Sequence, residues 1–92
     1  MSKGQEQLQS AIDLISGSNL DGDLGVRVNK LIPALEELKE STFARSALSV
    51  PLTAAVNRAA KALSDEGSVN ALEKAVADVS GKAGGAGKIA IT

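Results

Sequence analysis

A chain of 92 residues, 43% apolar, with ten basic and eleven acidic side chains, suits one globular domain and excludes two. It has no cysteine and no histidine, which removes disulfides, thiolate and imidazole chemistry and the usual zinc ligands, and leaves the redox compartment unreadable. A net charge of −1 supplies no long-range pull toward nucleic acid or anionic lipid, and no apolar run approaches the roughly 18 residues of a membrane span.

The opening MSKGQEQLQS lacks the apolar centre of a signal peptide, so cytoplasmic synthesis is expected. Leu8, Ala11, Ile12 and Ile15 then recur at helical spacing and predict a first helix that Gly17 stops. SGSNLDGD follows as a loop, rich in residues that bond to their own backbone or tolerate positive φ. From Leu24 the helical pattern resumes through Val28, Leu31, Leu35 and Leu38, with Asp21 and Asp23 as candidate caps. Pro33 lacks a backbone donor and restricts the residue before it, so a kink or break is expected near Ile32. Two short helices, the second opened by Pro33, is the preferred reading.

STFARSALS is read as a further turn or loop. Ser49 then precedes Val50 and Pro51 as a candidate cap, and Leu52, Val56, Ala59, Ala60 and Leu63 form a helical stripe. Gly67 is expected to end this helix and Ser68 to cap the next, whose inner face is Val69, Leu72, Val76 and Val79 and whose stop is Gly81. The remainder, GKAGGAGKIAIT, is glycine-rich and aperiodic. The expected architecture is therefore all-α: a bundle of four to five short helices over residues 1–81, with an extended glycine-rich C-terminal arm over residues 82–92.

No motif for catalysis survives inspection. The tail departs from the phosphate cradle G-x-x-x-x-G-K-[ST], since Lys82 stands at the first glycine, Ile89 follows Lys88 where a hydroxyl is needed, and a helix precedes it. Asn19, Asp21 and Asp23 alternate like the first ligands of a calcium loop, but Leu24 and Lys30 stand where that loop needs glycine and a bidentate glutamate. Glu36, Glu37 and Glu40 read as a solvated helical face, and a nucleophilic serine would have no histidine for a base. No enzyme, cofactor or metal is expected.

Fifteen of the forty apolar residues are alanine and the single aromatic is Phe43, so the core is expected to be thin. Ala55, Ala59 and Ala62 mark a small-residue seam that a second helix could approach closely. Ile89 and Ile91 alternate like a short strand that needs a host, either its own helices or a groove on another subunit. These features predict a non-enzymatic assembly subunit that packs with itself or another structural subunit into a particle such as a virion shell or decoration layer. The alternative is a small helical DNA-binding or regulatory protein that uses Arg27, Lys30, Arg58 and Lys61 against phosphate. Acids interleave with these bases, with Asp65 four residues after Lys61 and Asp78 four after Lys74, and there is no aromatic for base stacking beyond Phe43.

Overall fold

The structure is a computed structural model that describes residues 1–84; the expected arm from residue 85 onward, with Ile89 and Ile91, lies outside the described residues. Five α-helices follow in order: α1 (Lys3–Ser16), α2 (Gly22–Asn29), α3 (Leu31–Lys39), α4 (Val50–Lys61) and α5 (Glu66–Lys82). Two short 3-10 turns, Phe43–Arg45 and Ala47–Ser49, join α3 to α4. There is no strand among the described residues, so the all-α bundle expected from the sequence is the fold.

α1 starts where Ser2 caps it. The Ser2 hydroxyl accepts from the Gln5 N–H at 3.2 Å while the Gln5 side chain accepts from the Ser2 N–H at 2.9 Å, a reciprocal capping box. The S-x-x-Q signal was present in SKGQ and the stripe-based reading of this helix missed it. Gly17 stops α1 as expected. Asp21 holds the cap position of α2, but its side chain makes no capping hydrogen bond there, and Gly22 carries the turn at φ +62°.

The break between α2 and α3 falls at Lys30, two residues before the expected Ile32. An uninterrupted helix would have the N–H of residue 33 donate to the carbonyl of Asn29, and Pro33 has no N–H to give. The discontinuity therefore appears at the acceptor end of that missing bond, and Pro33 sits in the first turn of α3 where the donor is dispensable.

Directions follow from a few polar contacts. Gln5 Nε2 donates to the Lys39 carbonyl at 2.9 Å, so α3 ends beside the start of α1 and runs antiparallel to it. Thr53 Oγ1 bonds Gln7 Oε1, and Asn57 Nδ2 donates to the Gln7 carbonyl at 3.3 Å, which places the first half of α4 beside the first half of α1. These two helices run the same way. The turn at 62–65 then sends α5 back along α4, where it also packs on α2 and α3.

Three expectations about ends are corrected. Gly67 does not stop α4, which ends at Lys61; it lies in the first turn of α5. Asp65, not Ser68, caps α5, accepting from the Ser68 N–H at 2.9 Å. Gly81 does not end α5, which continues to Lys82 and turns at Gly84 with φ +70°. Since α4 and α5 are separate helices, Lys61 and Asp65 have no common helical face and the expected ion pair does not form.

The core draws on α1, α3, α4 and α5, with Val28 from α2 and Ala44 from the first 3-10 turn. Of its sixteen buried residues only Ala11, Ala34, Ala44 and Ala60 are alanine; the larger aliphatics occupy the interior and most alanines lie outside it. The core is thus aliphatic. Phe43 packs on its edge. Every buried side-chain nitrogen and oxygen among the described residues has a hydrogen-bond partner, which removes the penalty of an orphaned polar atom.

Candidate functional site

The expected small-residue seam falls beside the buried face of α4. Ala60 and Val56 face the core, Ala59 packs at its margin, Ala55 is half-buried, and Ala62 is exposed at the helix end. Thr53 and Asn57 set the rotation of α4 through their bonds to Gln7. Ala55, Ala59 and Ala62 thus follow one another at the edge of the buried face of α4 and just past its end.

The four cations of the alternative reading are not equivalent. Lys30, Arg58 and Lys61 are exposed. Arg27 is held across to α5: Nε donates to Glu73 Oε2 at 3.2 Å, Nη2 to Glu73 Oε1 at 2.6 Å and to Asn70 Oδ1 at 2.5 Å, and Nη1 lies 3.6 Å from Glu66. The Glu73 hydrogen bond, with charge from Glu66 and Asp23, raises the Arg27 pKa further above its already high ordinary value. The fork fits the carboxylate on both arms, so α2 is clasped to α5 and this guanidinium is committed within the fold.

Glu36, Glu37 and Glu40 all face solvent, with Glu40 3.7 Å from Arg45. Asn19, Asp21 and Asp23 are exposed too, and no group of three or more metal-ligating carboxylates is assembled among the described residues. No helix among them is long and apolar enough to cross a membrane.

What the fold does assemble is an open depression of about 530 Å³ on α2 and the loop before it. Leu20, Asp21 and Gly22 line one end, and Gly25 and Val26 line the middle. Asn29 and Lys30 line the far end. Two of the lining positions carry no side chain. At Gly25 an added Cβ would run into the Leu20 carbonyl, so the loop lies directly on the helix; at Gly22 the space is open. Val26 stands beside the hollow and is 54% exposed, a large apolar side chain held in water by a helix that Arg27 has fixed.

Two features of this site were out of reach of spacing arguments. Gly22 belongs to the expected SGSNLDGD loop and Gly25 to the helix read from Leu24, so spacing does not bring them together, and Val26 falls outside the Leu24, Val28, Leu31 stripe. Among the described residues Leu48, 78% exposed on the second 3-10 turn, and Met1 are also large apolar side chains in water. The Ser49 hydroxyl ties that turn to the first, its one proton shared between the carbonyls of Ser46 at 2.7 Å and Ala44 at 3.1 Å. Ser49 is thus a buried brace and not the expected side-chain cap of α4.

Compared with known proteins, the chain matches no family model, no curated protein and no solved structure.

Proposed function

We propose that this chain is a non-catalytic assembly subunit that joins copies of itself into a larger particle, a virion shell or decoration layer being the type, through apolar surface that its own core does not use. The observation that carries this reading is an aliphatic core drawn from residues 8–79, beside Val26 and Leu48, which are held outward on braced elements. The sequence also carries Ile89 and Ile91. Full burial of such side chains contributes roughly 1.5–3 kcal/mol each before ordering costs, enough for several of them to drive association.

Sedimentation velocity of the full chain over a wide concentration series tests the proposal. Mass that rises with concentration is expected; a monomer up to about millimolar protein, the concentration that corresponds to only about 4 kcal/mol of association, refutes it. The nucleic-acid alternative predicts retention on DNA that falls steeply with salt, whereas an assembly subunit of this balanced charge is expected to pass through.

A further inference from the structure

We infer that the peptide joining Asp21 to Gly22 is a self-modification site, at which the chain converts aspartate to iso-aspartate without an enzyme and thereby loosens the start of α2. The reaction uses the two residues' own atoms. The Gly22 amide nitrogen loses its proton and bonds to Asp21 Cγ while a carboxyl oxygen leaves as water, which closes a five-membered succinimide. Water then opens the ring at either carbonyl. Attack at Cγ restores aspartate; attack at the main-chain carbonyl leaves the chain running through the former side chain, with one extra methylene in the backbone.

The structure leaves both reacting groups uncommitted. Asp21 and Gly22 are exposed. Among the described residues the Asp21 carboxylate has no hydrogen-bond or ion-pair partner, so no contact must break before it swings onto the following nitrogen. Gly22 is the first residue of α2, where an N–H has no intrahelical acceptor. It also lacks the Cβ that would crowd the attack, and nothing lies within 4 Å of where one would stand. Ring closure turns the Asp21 carbonyl, whose bond from the Gly25 N–H is a long 3.4 Å. The other aspartates lack this combination. Asp13 and Asp78 lie inside α1 and α5, Asp65 is held by the Ser68 N–H, and Asp23 is followed by Leu24, whose side chain screens the nitrogen.

The consequence falls on α2. The loop before it lies directly on Gly25, where a methyl would already run into the Leu20 carbonyl, so a longer backbone at residue 21 displaces the loop or the helix. The full chain, folded and in urea, is incubated for weeks in mildly acidic buffer and digested with an endoproteinase that cuts before aspartate but not before iso-aspartate. Cutting before residue 21 should be lost while cutting before residues 13 and 78 persists. The folded chain should convert within about tenfold of the unfolded rate, since a site with no contact to break costs little to open. Asp21→Glu should not convert, because its ring would be six-membered. The converted fraction, separated by chromatography, should melt below its parent. Absence of conversion in the folded chain, whether or not urea permits it, overturns the site, and equal conversion at every aspartate overturns its selectivity. A converted fraction that melts with its parent overturns the loosening of α2.

Discussion

Gly4, Gly25, Gly67 and Gly81 all lie within α-helices, and replacing each with alanine should split them into two pairs of opposite sign. Alanine in a helix is favoured over glycine by up to about 1 kcal/mol, less near the ends, because glycine loses more backbone freedom on folding. Gly81 is exposed and nothing lies within 4 Å of where its Cβ would go, so Gly81→Ala should stabilise by roughly 0.5 kcal/mol. Gly67 is similar, its nearest neighbour being Asp65 Oδ1 at 3.5 Å, an ordinary contact. At Gly4 the new methyl would sit 2.5 Å from the Ala44 carbonyl oxygen and against the Ser49 hydroxyl. That oxygen accepts from both Ser2 and Ser49, so it cannot retreat without breaking two hydrogen bonds. At about 0.5–1.5 kcal/mol for each bond and 1–3 kcal/mol for overpacking, Gly4→Ala should cost about 2–4 kcal/mol after the helical gain. Gly25→Ala meets the Leu20 carbonyl and should cost about 1–3 kcal/mol, since a loop can give more than a braced turn. For a domain of this size 1 kcal/mol moves Tm by about 4–8 °C, so thermal melts should show Gly81→Ala up by about 2–4 °C and Gly4→Ala down by about 8–32 °C. A Gly4→Ala variant as stable as wild type would refute the close approach of α1 to the 3-10 turns.

The remaining expectations concern charge and chain continuity. The Asp65 carboxylate, stabilised by the Ser68 backbone and side chain and by the Gly67 N–H, titrates below its ordinary 3.8. Its contribution to stability is full above that ordinary value and disappears as pH falls through the lowered native one. Acid titration of chemical stability should therefore be shallower below about pH 4 in Asp65→Asn than in wild type, and parallel curves would count against the cap. A double-mutant cycle on Arg27→Ala and Glu73→Ala should show favourable coupling that shrinks with salt, and Arg27→Lys should not restore it, since an ammonium cannot span both carboxylate oxygens. Pro33→Ala gives the Asn29 carbonyl its missing donor. The gain of about 1 kcal/mol from that bond is offset by the freer unfolded chain, so stability should change little while the new amide at position 33 becomes protected from hydrogen exchange; rapid exchange there would refute the account of the break.

The helical stripes were legible because they are local. Leu8, Ala11, Ile12 and Ile15, and again Val69, Leu72, Val76 and Val79, repeat at the period of the helix, and all eight are buried. The Pro33 break was visible for the same reason, to within two residues. Helix ends were less legible: glycine lowers helical preference without forbidding it, so Gly67 and Gly81 remained inside α5 while Asp65 supplied the cap. The rotation of α4, the bracing role of Ser49 and the commitment of Arg27 were decided by Gln7, Ala44 and Glu73, partners that helical spacing does not bring together. The α2 hollow belongs to the same class, since it appears only when the 17–21 loop lies on Gly25. Periodicity along the chain determines which face of each helix avoids water, but which neighbour covers that face, and what is left uncovered, is settled only when distant segments compete for the same surface.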